Sequence, residues 1–369
     1  MATPPTLDFD ALLAPISGDD PAGRDLRSDY APTAPYRVMK EARTLARRIE
    51  RAIEQLDPDV KDVPDWRPIL DHAPRTITTV SKDLEVAAWL TEALTRSKGF
   101  AGVRDGLRLC RELVERFWDG LHPRPDPEEP AEDGELSRRV SPLAGLNDGA
   151  LVGPIEAISI VSSREHGPLG VSAYEQSSAL EQVTDPRERE IREKQGAVPL
   201  AAFQKAVANT SAEFYRTLLD DLGGAQNEFQ ALCRALDERC GSNGPPTANI
   251  ADVLDRCQRR IRLLASDKLG LDTAPVDAPT ASAAESGGGG GSRVDGPIRS
   301  RDEAFMVLRQ VADFFRRTEP QSVLPYHLEE CVRFGRMDLP ALLSELINDA
   351  AVRDSLFKRI GIPPPASGE

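Results

Sequence analysis

The chain is poor in the residues that build disulfide frameworks, aromatic platforms and membrane spans. Five of its 369 residues are cysteine and 5% are aromatic. No apolar run approaches the ~18 residues of a membrane-spanning helix. An odd number of irregularly spaced cysteines is typical of free thiols in a reducing compartment. Residues 1–20 lack the basic start and apolar core of a signal peptide. These absences predict a cytoplasmic protein without membrane insertion.

The chain also has fewer basic than acidic residues. The chain has 46 Lys and Arg against 60 Asp and Glu, which gives a formal net charge of −14. A protein that follows duplex nucleic acid needs clustered cations to displace counterions, and docking on an anionic membrane surface needs them as well. We therefore expect neither nucleic acid nor a lipid surface as a partner.

The sequence contains none of the common catalytic or cofactor motifs. It has no phosphate-binding Gly-x-x-x-x-Gly-Lys-Ser/Thr loop, no His-Glu-x-x-His, no Cys-x-x-Cys and no Gly-x-Ser-x-Gly. This predicts a protein that is not an enzyme and holds no cofactor or metal. Cys233, Cys240 and Cys257 could converge on a metal if their helices packed together, but cysteine at core spacing favours a small apolar core residue. An enzyme with a dispersed, cysteine-containing site is the remaining alternative.

Composition divides the chain into segments. Residues 272–297 have no periodic apolar pattern and include five consecutive glycines, which predicts a flexible linker with a span of about 28 Å. An acidic, proline-rich stretch after residue 125 cannot continue a helix. The predicted organisation is a helical N-terminal domain, an acidic connection, a mainly helical middle domain, the linker and a helical C-terminal domain, at residues 1–125, 126–149, 150–271, 272–297 and 298–362.

Apolar periodicity indicates a mainly α, multi-domain protein. In residues 38–56 apolar side chains recur at steps of three and four, which places them on one helix face. Capping boxes at Thr210–Glu213 and Ser300–Glu303 mark two further helix starts. Residues 151–161 and 169–174 are rich in Ile, Val or Leu, and for these we predict two short strands, with helix as the alternative at this length.

The first helix of the C-terminal domain is apolar over about 180° of its circumference, whereas a surface helix of a monomer buries a stripe of roughly 100°. A domain of this size is marginally stable alone, because it buries only ~60% of its unfolded surface. We therefore predict self-association; the alternatives are a miniature bundle that encloses this helix, and a monomeric adaptor whose C-terminal helices bind another protein. The candidate interface residues are Phe305, Val307, Leu308, Val311, Phe314, Phe315, Leu328 and Leu342.

Short motifs at the two ends of the chain resemble a known family. The segments LLAPISGDDPAGRDLRSD, DWRPIL, KDLEVAAWLTEAL and RFWDGLHPRPDP occur in this order in the first 127 residues. They are similar to the ImpA-type N-terminal domain of the TssA family of type VI secretion components. The C-terminal SRDEAFMVLRQVADFFRRTEP and PYHLEECVRFGRMDLPALLSELI resemble the short C-terminal module of many members, although Ser322 is followed by Val323 where the family commonly has Ser-Pro.

This resemblance implies a fold and a role. Members of the family are cytoplasmic, non-enzymatic assembly factors that form ring-shaped homo-oligomers through the C-terminal domain. They contact baseplate, tube and sheath components of the contractile machine. Because only the short C-terminal module is present in this sequence, the resemblance implies a role at or near the baseplate.

Overall fold

The computed structural model contains two compact units, Met1–Val276 and Asp277–Glu369. Both are helical. Among the described residues, no helix is long and apolar enough to cross a bilayer. The described residues are 2–55, 57, 59–124, 135–162, 167–241, 244–270, 301–318, 323–337, 339–347, 353 and 357.

The first unit is a stack of helices around one long central helix. A short 3-10 turn at Leu26–Ser28 and a π turn at Leu146–Ala150 interrupt the α-helical series. The α-helices are α1 Phe9–Leu13, α2 Pro35–Glu54, α3 Arg67–Thr79, α4 Leu84–Phe117, α5 Glu135–Gly145, α6 Val152–Ala157, α7 Val171–Glu181, α8 Pro186–Lys194, α9 Leu200–Asn209, α10 Ala212–Cys240, α11 Ala248–Leu264 and α12 Ser266–Leu269.

The central helix is α4, which is buried on nearly every side. Its N-terminus is capped by Asp83, whose Oδ1 accepts hydrogen bonds from the backbone N–H groups of Glu85 (2.9 Å) and Val86 (3.2 Å). At Gly99 the backbone leaves the helical region (φ 58°, ψ −140°), and the helix kinks there. A helix with buried residues on several sides must be covered by other helices, and α4 packs against α3 and α10.

The structure joins regions that the sequence divides. One hydrophobic core runs from α1 to α12, and α4 and α10 also meet through polar contacts between Arg104 and Asp221 (2.9 Å) and between Arg111 and Glu228 (2.8 Å). The predicted domains 1–125 and 150–271 therefore lie in one compact unit rather than two. The physical reason is that α4 carries a second apolar face, which the buried stripe of α10 covers.

The two strands predicted near residues 151–174 are wrong. The described part of this segment contains no strand; it forms α6, a short extended stretch and the start of α7. Leu151, Ile155 and Ile158 are buried. Their spacings of four and three residues are those of one helix face, so the helical alternative is correct here. A single backbone hydrogen bond, from the N–H of Ile160 to the carbonyl of Leu169 (2.9 Å), links the two stretches.

The second unit contains three described helices, α13 Arg301–Thr318, α14 Leu324–Arg336 and α15 Leu339–Leu346. The contact between α13 and α14 buries Ala312 and Val332. The predicted linker, residues 272–297, lies outside the described residues, as does most of the segment after residue 347. The mainly α, multi-domain fold predicted from the sequence is confirmed.

Lys82 is a buried cation that joins three helices of the first unit. Its Nζ donates hydrogen bonds to the carbonyl oxygens of Leu12 (2.7 Å) and Ile77 (2.8 Å), at the ends of α1 and α3, while its backbone leads into α4. The side chain is fully buried. Burial lowers the pKa of Lys82 from 10.5 to about 8, because the charged form is poorly solvated there.

We expect the stability of the protein to rise between pH 8 and pH 10.5 because of this lysine. In this window the unfolded chain binds more protons than the folded one, and the neutral amine still has two N–H groups for the two carbonyls. Relative to a Lys82→Met variant, the free energy of unfolding of the parent should increase by roughly 3 kcal/mol. Urea unfolding at a series of pH values measures this difference; a difference that stays constant with pH would contradict it.

Candidate interaction surfaces

The predicted self-association residues of α13 separate into two sets. Phe305, Leu308 and Phe315 are half-buried and share the side of Ala312, which is fully buried against α14. The Phe305 ring lies so close to Gly335 that a Cβ at that glycine would sit 2.6 Å from the ring. These side chains therefore serve the packing of the unit itself.

The other set forms an exposed apolar strip, which we call the α13 edge and define as Val307, Val311 and Phe314. On a helical wheel the three lie within about 60°. Val307 is half-buried, Val311 is 37% exposed and Phe314 is 52% exposed. The Phe314 ring packs edge-on against Phe315, with centroids 5.6 Å apart. The α13 edge is therefore an exposed apolar strip on a helix whose other side is packed against α14.

Two of the predicted interface residues lie on α14 and α15, and α14 also begins with an exposed apolar stretch that was not predicted. Leu328 on α14 and Leu342 on α15 are half-buried. Val323, Leu324 and Tyr326, around the first turn of α14, are all exposed. The signal was present in the sequence, because Val323, Leu324 and Tyr326 place three apolar or aromatic side chains within four positions. A small unit that exposes such residues carries a second apolar patch.

The cysteines proposed for a dispersed site behave as core residues. Burial raises the pKa of Cys110 and of Cys257 to about 12, which keeps both thiols protonated at neutral pH. Cys240 is also buried. Among the described residues no three His, Cys, Asp or Glu side chains are placed to hold a metal ion, so the suggested convergence of Cys233, Cys240 and Cys257 is not found.

The burial of these cysteines leads to a prediction about thiol reactivity. The thiolate is the reactive form, and Cys331 alone among the five cysteines is exposed. In the native protein we expect one thiol to react rapidly with a disulfide reagent such as dithionitrobenzoate, and Cys110 and Cys257 to react only after unfolding. A Cys331→Ser variant should lack the fast phase. A fast phase that persists in this variant would show that a second cysteine is activated.

Hydrogen-bonded ion pairs hold the inward side of α2 against α4. Arg43 on α2 forms an ion pair with Glu92 on α4 (2.7 Å). Glu50 on α2 forms an ion pair with Arg96 on α4 (2.6 Å). Glu92 is fully buried. Burial raises the pKa of Glu92, although Arg43 opposes this shift. The pairs fix the orientation of α2, and with it the side chains that α2 presents outward.

Known proteins resemble this chain along most of its length. Residues 13–148 match the family described as ImpA, N-terminal, type VI secretion system. The chain is 28% identical over 354 residues to the "Type VI secretion system component TssA1" of Pseudomonas aeruginosa, with 93% of this chain and 96% of that protein covered. A solved structure, the N-terminal domain including the conserved ImpA_N region of the TssA component from Burkholderia cenocepacia, has a TM-score of 0.56 and 25% identity. It covers 71% of this chain and is itself covered to 94%.

Proposed function

We propose that this chain, which is similar to TssA components of type VI secretion systems, is a non-enzymatic assembly component that self-associates through its C-terminal unit. The observation that supports this proposal is the α13 edge. Val311 and Phe314 are exposed on a small unit that already buries a different side of the same helix against α14. Covering such side chains with another copy removes apolar surface from water and stabilises the assembly.

Two apolar patches on the C-terminal unit support a ring as the form of the proposed assembly. A patch that contacts itself gives a closed dimer, whereas two distinct patches on one subunit give head-to-tail contacts that can close into a ring. The α13 edge and the exposed residues Val323–Tyr326 are such a pair of patches on one unit. We therefore propose that the α13 edge of one copy packs against the start of α14 of the next.

The proposed ring gives the first unit its role. Each copy would display one N-terminal unit toward the baseplate, tube and sheath proteins of the secretion machine, in the cytoplasm. Weak single contacts become tight overall when several copies engage the same assembly, because the later contacts are effectively intramolecular. The predicted linker, residues 272–297, would provide the reach for this display.

The native mass of the intact chain tests the proposal. The monomer has a mass of 40.2 kDa, and light scattering over a range of concentrations should give a fixed multiple of that value. A monomeric mass at every concentration would instead support the alternative of a monomeric adaptor. For the alternative of an enzyme with a dispersed site, stoichiometric metal in the purified protein would be the supporting result.

A further inference from the structure

The outward face of α2 is basic, although the chain as a whole is acidic. The opposite face holds the fully buried Met39 and Ala46. Over an arc of about 140° the outward face carries four cations and one anion. Its residues are Arg37, Lys40, Glu41, Thr44, Leu45, Arg48 and Arg51. This face therefore has a local excess of positive charge in a chain whose net charge is −14.

These cations have no carboxylate partners among the described residues. The ion pairs of α2 involve Arg43 and Glu50 on its inward side. In the described part of the chain no carboxylate lies within ion-pair distance of Arg37, Lys40 or Arg48. Like charges three or four residues apart, as at Arg37 and Lys40, slightly destabilise a helix. Folding alone therefore gives no reason for this arrangement.

The outward face borders a groove of about 640 Å³ with a fixed aromatic floor. The Tyr36 ring lies beneath the Lys40 ammonium (5.8 Å) and the Arg27 guanidinium (5.0 Å). Tyr36 is held in place because its hydroxyl donates to Glu85 (2.9 Å). Arg27 already has a carboxylate partner, because its guanidinium donates a hydrogen bond to Asp83 (2.8 Å). The groove thus combines cations that have no carboxylate partner among the described residues, an ordered aromatic ring and the exposed side chain of Leu45. Two carboxylates, Asp29 and Glu41, also line it, so the cations outnumber the anions.

We propose that this groove, the α2 groove, binds an acidic segment of a partner protein. Carboxylates of the segment would meet Arg37, Lys40 and Arg48, and an apolar side chain would pack on Leu45. From Arg37 to Arg48 the face is about 17 Å long at 1.5 Å per residue, which suits a short peptide segment. A duplex nucleic acid or an anionic membrane is a worse match, because an extended polyanion would also meet the net negative charge of the rest of the chain.

A peptide titration on the intact chain tests this proposal. The probe is a fluorescein-labelled peptide of four Glu-Glu-Leu repeats, and its control replaces every Glu with Gln. We expect the acidic peptide to bind, the Gln peptide to bind at least about tenfold more weakly, and added salt to weaken the binding. The triple variant Arg37→Glu, Lys40→Glu, Arg48→Glu should lower the affinity for the acidic peptide at least about tenfold.

A matched variant separates the groove from net charge. Arg234, Arg259 and Arg262 are exposed helical arginines outside α2, and changing all three to Glu alters the net charge by the same amount. This variant should keep the parental affinity, and circular dichroism should show parental helix content in both triple variants. An equal loss of affinity in both, or equal binding of the Gln peptide, would overturn the proposal. So would tighter binding to phosphatidylserine vesicles than to the peptide, or a fall in native mass in the α2 variant, which would make a second copy the occupant.

Discussion

Replacing Val311 and Phe314 with glutamate in the intact chain is expected to convert the proposed oligomer into monomers. Both side chains belong to the α13 edge, and a buried charge without a partner is strongly unfavourable. Truncation or replacement of a central aromatic residue typically dominates the energetics of an interface. We expect the dissociation constant of the assembly to rise at least about 100-fold, measured by sedimentation velocity across a concentration series.

The same helix provides the control for this prediction. Met306 is 53% exposed, almost the same as Phe314 at 52%, but it lies about 80° away on the helical wheel. A Met306→Glu variant should therefore sediment like the parent. If Met306→Glu dissociates the assembly while the Val311 and Phe314 changes do not, the interface lies on another side of α13.

Replacing Arg104 with methionine is expected to cause a large loss of stability in the first unit. The Arg104 guanidinium bridges Asp105 (2.8 Å) and Asp221 (2.9 Å), whose side chains are only 2% and 8% exposed. Without the arginine, two buried carboxylates lose their cation, and breaking a buried pair in this way typically removes about 3–5 kcal/mol. Because Asp221 lies on α10 and Arg104 on α4, the loss measures how firmly the two helices are joined.

An exposed pair provides the comparison for Arg104. Arg67 and Asp65 also form an ion pair (2.8 Å), but both side chains face solvent. An Arg67→Met variant should leave the free energy of unfolding almost unchanged, because solvent screens an exposed pair. Urea denaturation of the two variants under identical conditions gives the comparison. Similar, small losses in both would mean that the contact between α4 and α10 depends little on the Arg104 bridge.

Periodicity predicted the helices well because a 3.6-residue repeat of buried side chains is a local property of the sequence. The family resemblance from the end motifs is likewise confirmed, by the match of residues 13–148 and by the related TssA1 protein. Segments 151–161 and 169–174 failed as strands because short Ile- and Val-rich runs look alike in buried helices and in buried strands. Their surroundings, not their composition, decide between the two.

Packing could not be predicted from the sequence for a different reason. The sequence places Phe305 and Phe314 in one apolar arc, but only tertiary structure shows that Phe305 packs against Gly335 while Phe314 faces solvent. In the same way, only the tertiary structure shows that α10 covers one side of α4. The outward cations of α2 could have been noticed, since residues 35–54 hold six Lys or Arg and three Glu. That they have no carboxylate partner in the described part of the chain could be seen only in the structure.

The native masses of the two units, produced separately and compared with the intact chain, test the central claim most directly. The claim is that the C-terminal unit alone drives self-association. The account predicts that residues 277–369 form an assembly with the same number of copies as the intact chain, while residues 1–276 are monomeric. Monomeric residues 277–369 beside an oligomeric first unit would contradict it.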